Sequence, residues 1–209
     1  MIRPAGFRGA AFGRGVEGNG RDDPSARARL SSALGIRDDW AYLNQVHGKV
    51  VRRVTGPGLA GNGDAIVTDV RGLPLVVATA DCVPIVVEGD HSVGVIHAGW
   101  RGVVAGVIPA ALDAMRALGD TPRRAAIGPS IGPCCYEVGD DVASVLSGYG
   151  ATTTFSTRSV DLWSAATDQL DGLDVWHSGI CTFTETDYWS YRRDGTTRRQ
   201  IAVAWLPKD

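Results

Sequence analysis

The sequence predicts an α/β (α+β) fold: a mixed sheet with flanking helices. Three observations carry this. Residues 40–98 hold a series of short apolar runs only a few residues apart, the mark of many short strands. Helical patterns occupy 24–34, 103–118, 140–146 and 161–170. No repeat, linker or composition shift divides the chain, so residues 1–209 are expected to form a single domain.

In chain order, residues 6–21 are rich in Gly and Arg and show little periodicity. Phe7 and Phe12 could anchor a strand, and 13–20 reads as a mobile loop. Asp23 then offers an N-cap, Pro24 a first helical position, Leu30 and Leu34 one apolar face, and Gly35 a stop. Residues 40–46 are apolar and 49–54 read as a strand, which makes 44–48 a turn; 56–63 reads as a loop. Strands are expected over 64–69, 75–78, 83–87 and 92–98, and their close spacing implies mainly hairpin connections. The helix over 103–118 contains Pro109, so a kink or break is expected there. A strand over 123–127 leads into a turn-rich segment, 128–139, followed by a helix over 140–146 and a loop over 147–158. A helix over 161–170 and strands over 173–176 and 201–206 complete the reading.

Composition bounds the function. With 44% hydrophobic residues, 21% charged residues and a formal charge of −2, the chain reads as a globular protein with no electrostatic footprint for nucleic acid or an anionic membrane. No apolar run approaches the roughly 20 residues of a membrane span, and no signal-peptide core follows Met1, so a cytoplasmic setting is expected. The four cysteines, two of them adjacent, make a poor disulfide framework, and no CxxC occurs.

The chemistry concentrates around 92–102. Val93, Val95 and His97 share one strand face, and the strand runs into Gly99-Trp100-Arg101-Gly102 at a helix start. Such a junction offers a His for metal or proton chemistry and an anion site beside Arg101. His47 and Cys82 also lie at strand ends or adjoining turns. His47, Cys82 and His97 together would give three zinc ligands and leave a fourth position open for water or substrate. Their spacing matches no local zinc motif, and three unrelated buried side chains are the alternative. Arg101, Arg192 and Arg193 are candidates for gripping phosphate, against ordinary surface arginines. Asp81 could orient a ligand or act as a base, or merely cap a turn. Cys134 and Cys135 could be small buried hydrophobes. His91 reads as surface and His177 as structural, while Trp189 or Tyr191 could stack on a purine.

Six stretches in order resemble one family: Asn44-Gln45-Val46-His47-Gly48, Gly63-Asp64-Ala65, Thr79-Ala80-Asp81-Cys82-Val83-Pro84, His97-Ala98-Gly99-Trp100-Arg101-Gly102, Gly128-Pro129-Ser130-Ile131 with Cys135-Tyr136-Glu137-Val138-Gly139, and Ser190-Tyr191-Arg192-Arg193-Asp194-Gly195. This is similar to the YfiH-like family, long labelled laccase-domain or polyphenol oxidase proteins. The match runs from about residue 40 onward; Phe12-Gly13-Arg14-Gly15-Val16-Glu17-Gly18 is a loose counterpart of the family's opening motif. The resemblance implies a YfiH-like fold and zinc on His47, Cys82 and His97. It also implies phosphorolysis of purine nucleosides (adenosine, inosine, methylthioadenosine) and deamination of adenosine.

On that reading Asn44, Gln45, Arg101 and Arg193 are candidates for binding substrate or phosphate. Asp81, Cys82, Arg101 and Cys135 are candidates for the chemistry. Copper could bind adventitiously, but a multicopper oxidase needs roughly ten paired His, and this chain has four His in all. A cysteine hydrolase or amidase editing peptidoglycan precursors, with Cys82 as nucleophile, uses the same residues; a non-catalytic binding protein is the remaining rival. The expected partners are purine nucleosides and phosphate. The oligomeric state is left open, a monomer included.

Overall fold

The computed structural model describes residues 1–149 and 158–208. Among the described residues, eleven strands form two mixed sheets. The first contains β1 (Ala10–Phe12), β2 (Ala41–Asn44), β4 (Gly58–Asn62), β6 (Leu75–Thr79) and β11 (Gln200–Ala204), in the order β1-β11-β6-β2-β4. The second contains β3 (Val51–Arg53), β5 (Ala65–Thr68), β7 (Val83–Gly89), β8 (Val93–Ala98), β9 (Pro122–Ile127) and β10 (Asp174–His177), in the order β10-β9-β7-β8-β5-β3. The helices are α1 (Pro24–Leu34), α2 (Trp100–Ala105), α3 (Val107–Arg116), α4 (Asp140–Ser147), α5 (Leu162–Asp168) and a single turn, α6 (Tyr191–Asp194). None of the described helices is long and apolar enough to cross a membrane.

Side-chain alternation sorts the chain into layers. Phe12, Leu43, Leu75 and Val77 of the first sheet meet Ile66, Val86, Val93 and Val95 of the second in a core between the sheets. The opposite face of the second sheet, with Ile85, Ile96 and Ala98, packs against Val103, Ile108, Met115 and Leu162 of the helices. The outer face of the first sheet, with Val76, Ile201 and Val203, covers Leu30 and Leu34 of α1. An isolated helix as short as α1 is marginal in water. Burying its two leucines contributes about 1.5–3 kcal/mol each, so packing holds it in place. The Asp23 carboxylate caps its start, accepting from the N–H of Ser25 and Ala26, and Gly35 ends it in the left-handed region at φ 70°.

Four expectations are corrected. Hairpins do not dominate residues 40–98. From β2 to β7 the chain alternates between the sheets, and the pairs β2·β4, β2·β6 and β3·β5 are parallel; among consecutive strands there, only β7 and β8 pair antiparallel. Part of the expected 56–63 loop is β4, a Gly-rich edge strand on β2. The helix over 103–118 breaks at Gly106, φ 84°, rather than at Pro109, which falls in the first turn of α3, where a missing N–H leaves no gap. Within 13–20 lies an ordered 3₁₀ turn, Gly15–Glu17: Gly15 N–H donates to the Asp187 carbonyl and accepts, at its own carbonyl, from Trp189 Nε1, each at 2.8 Å. Most of the loop expected over 147–158 lies outside the described residues.

Candidate metal centre and cleft

The chemistry-bearing residues gather where β2, β6 and β8 all end, at one margin of the space between the sheets. β8 delivers His97 on the same face as Val93 and Val95, toward the other sheet. Beyond β6 the chain passes through Asp81, at φ 91°, to Cys82; beyond β2 it turns at His47, at φ 60°. Left-handed backbone at two non-glycine residues is uncommon, and both are tethered.

Asp64 does the tethering at His47. Its carboxylate, fully buried, accepts from the backbone N–H of His47 at 2.8 Å, Gly48 at 2.6 Å and Val46 at 3.1 Å. The same carboxylate lies 2.8 Å from His97 Nδ1. Burial alone would raise the Asp64 carboxyl, but His97 and the N–H groups of Gly48 and His47 hold it below its ordinary range. An ionised carboxylate only accepts, so His97 Nδ1 carries a proton and Nε2 is the ring nitrogen left for a metal, which would displace any proton there. One acid therefore sets the loop that carries the first histidine and the tautomer of the second.

His47 and His97 meet edge to face, centroids 4.8 Å apart, and their ligand nitrogens and Cys82 Sγ all lie within 4.8 Å of one another. Burial would raise the Cys82 thiol; His97 and His47 bring it down to about 6. Burial would lower His97; Cys82 and Asp64 raise it to about 9. Gly99 is required by close approach, since a Cβ there would stand 3.0 Å from Cys82 Sγ and 3.1 Å from the His47 ring. Two imidazoles and a thiol of thiolate character, one imidazole fixed by a carboxylate, match the donor set and outer support of a three-ligand zinc site.

Over this cluster opens a cleft of about 440 Å³, lined among others by Asn44, Gln45, Asp81, Tyr136, Tyr191, Arg21, Arg192 and Arg199. Asp81 accepts from Thr182 Oγ1 and from Arg192 N–H, each at 2.7 Å. Gln45 spends its amide on the two main-chain groups of Ala78, which fastens the 44–48 turn to β6, and Asn44 donates to Asn62. Tyr136 stays protonated, pushed up to about 12 by burial first and the Cys82 charge second. Arg192 lies over the Tyr136 ring, and among the described residues neither Arg192 nor Arg199 pairs with a carboxylate.

Other candidates stand elsewhere. Arg193 is not brought to the cleft: its guanidinium donates to the carbonyls of Thr182, Phe183 and Tyr188 and pairs with Asp194. Arg101 stacks on Trp100 and is not among the lining residues. Cys135 clusters with Cys134 and Cys181 rather than with Cys82. His91 is exposed, His177 packs on Trp163, and Trp189 bonds to Gly15. Sequence reasoning missed Arg21 and Arg199, which lie in stretches without periodicity, and the role of Asp64. The signal for Asp64 was there: an acid between Gly63 and the buried strand Ala65–Thr68.

Residues 5–207 match the family described as multi-copper polyphenol oxidoreductase laccase. The chain belongs to this family. The match begins well before residue 40, where the motifs alone had placed it, so the divergent front segment is part of the family unit. This laccase-family chain is 42% identical over 204 residues to a Deinococcus radiodurans protein named purine nucleoside phosphorylase, covering 90% of this chain and 80% of that one. It is 40% identical to the Streptomyces griseus purine nucleoside phosphorylase ORF3, covering 88% and 83%. YlmD from Geobacillus stearothermophilus superimposes with a TM-score of 0.86 at 28% identity, covering 100% of this chain and 98% of that chain. The Bacillus licheniformis hypothetical protein YfiH gives 0.84 at 25% identity, covering 94% and 92%. The fold is therefore the YfiH-like one.

Proposed function

We propose that this chain is a purine nucleoside phosphorylase that also deaminates adenosine, with zinc held by His47, Cys82 and His97. One observation carries the reading: the His-Cys-His cluster forms the floor of a cleft whose walls bring tyrosines together with Arg192 and Arg199, which bond to main-chain carbonyls but pair with no carboxylate among the described residues. A phosphorolysis needs these two things together, an anion site and a surface for an uncharged ring. The names of the relatives support the same class of substrate.

In phosphorolysis the C1′–N9 bond breaks, a phosphate oxygen bonds C1′, and the departing base takes a proton. Arg192 and Arg199 hold phosphate by charge-assisted hydrogen bonds. Tyr191, largely exposed at the rim, offers a face for the base. Asp81, fixed by Thr182 and the Arg192 main chain, is placed to accept or return a proton. Zinc, when bound, would supply a Lewis acid that polarises water for attack at C6 of adenine, where the C6–N bond breaks and ammonia leaves.

The test is phosphate-dependent release of adenine and ribose 1-phosphate from adenosine, with Arg192→Ala and Arg199→Ala alongside. A charge-assisted bond to phosphate contributes about 1.5–3 kcal/mol, so each variant should raise the KM for phosphate about tenfold or more. Absence of phosphorolysis by zinc-loaded protein would defeat the proposal.

A second reading has its own observation: Asp64, His97 and Cys82 stand in the sequence acid–imidazole–thiol of a cysteine hydrolase. Metal content separates the two. A chain isolated without metal, whose Cys82 is rapidly alkylated, would favour the hydrolase; about one zinc per chain that shields Cys82 favours the phosphorylase.

A further inference from the structure

A second cluster of soft ligands lies outside the cleft. Cys134 Sγ is 3.0 Å from Cys135 Sγ and 3.7 Å from Cys181 Sγ. The convergence is set by the main chain. Ser130 N–H donates to the Ile180 carbonyl and Thr182 N–H to the Ser130 carbonyl, which clamps 180–182 beside 130. Cys135 and Tyr136 N–H both return to the Gly132 carbonyl, which folds the 132–136 turn over Cys181. A side chain at Gly132 would meet Trp163 at 2.9 Å and the Cys181 Cβ at 3.3 Å, so the turn sits as close as it can. Cys181 is 7% exposed at the bottom, while Cys134 is exposed and leaves a way in.

We propose that Cys134, Cys135 and Cys181 form a second metal site, distinct from the His47-Cys82-His97 cluster, for a soft monovalent ion of the Cu(I) type. Three thiols and no oxygen or nitrogen ligand make up this cluster among the described residues. Such a set discriminates against hard cations such as Mg²⁺ and Ca²⁺. Structural zinc asks for a fourth ligand, whereas Cu(I) is satisfied by three sulfurs. At a metal–sulfur distance of about 2.3 Å, the sulfurs of a three-coordinate site stand about 4 Å apart. The Cys134–Cys181 separation is near that already, and rotation of the exposed Cys134 side chain opens the Cys134–Cys135 gap.

The electrostatics of the unmetallated cluster fit. Burial would raise the Cys181 thiol, but N–H groups lower it, with Gly132 N–H donating to its sulfur at 3.2 Å. Burial and the neighbouring sulfurs push Cys135 up to about 12; burial and Cys181 also raise Cys134, against a hydrogen bond with Cys135. The cluster favours one anion and resists the next two until a cation arrives. Binding therefore expels protons, and affinity tightens as pH rises.

The experiment titrates reduced, full-length Cys82→Ser protein, which removes the competing thiol, against the chromophoric Cu(I)–bicinchoninate complex without oxygen. The expected result is one equivalent of Cu(I) withdrawn per chain, with affinity falling at least 100-fold in Cys82→Ser/Cys134→Ser; Cys134 is exposed, so its loss leaves the fold intact. In the same Cys82→Ser protein, one equivalent of Cu(I) should protect Cys134 and Cys135 from N-ethylmaleimide, read by peptide mass. Equal affinity with and without Cys134, no withdrawal by Cys82→Ser, or alkylation of Cys134 unaffected by Cu(I) would each overturn the proposal.

Discussion

At Asp64 one buried carboxylate receives the main-chain N–H groups of residues 46–48 and the His97 ring. Asp64→Asn keeps the shape but turns part of the acceptor into a donor facing donors. Each orphaned buried group costs about 1–3 kcal/mol, so stability in urea should fall by about 2 kcal/mol or more. Loss of the outer partner of a ligating His costs about 10–100-fold in metal affinity, and zinc competition should show it. Unchanged affinity would mean that His97 needs no orienting. His47, Cys82 and His97 were legible as residue types at strand ends, because donor chemistry is local to the side chain. Asp64, Arg21 and Arg199 were not, because their roles exist only once distant segments meet.

Among the elements, the α2–α3 junction separates two explanations of one sequence feature. Gly106 sits at φ 84° and Pro109 in a first helical turn. Gly106→Ala should destabilise by about 1–2 kcal/mol, since a side chain is strained there. Pro109→Ala, at an exposed position, should change stability by no more than about 0.5 kcal/mol. A large loss at Pro109 and none at Gly106 would reverse the assignment. The strands themselves were readable because β5 to β8 are wholly buried and hence apolar but for Thr68, Thr79, Glu88 and His97. Their partners were not, since parallel pairing joins runs separated by a strand of the other sheet. β4 escaped because an exposed, Gly-rich edge carries little apolar signal.

For the molecule as a whole, Asp120 is one of the carboxylates on which acid stability rests, where the β7–β8 turn meets the segment leading into β9. Its carboxylate accepts from the N–H of Asp90, His91, Ser92 and Thr121 and from the Ser92 hydroxyl. Burial would raise its pKa, but Ser92 and the N–H groups hold it below the ordinary 3.8. A depressed folded pKa contributes stability that is present above the unfolded value and lost as pH falls through the folded one. Asp120→Asn should therefore weaken the fold at pH 7 and flatten the decline in stability below about pH 4, measured by urea titration across pH. An unaltered acid limb would remove Asp120 from that role. The layered architecture has one more consequence, for the order in which a ribosome releases it. β11, the last strand, lies between β1, the first, and β6. Domains fold as their residues emerge, but here the opening strand must wait for the closing one. Arg192 and Arg199 arrive in that same late stretch, so a nascent chain contains His47, Cys82 and His97 long before it contains the two arginines that line the cleft above them.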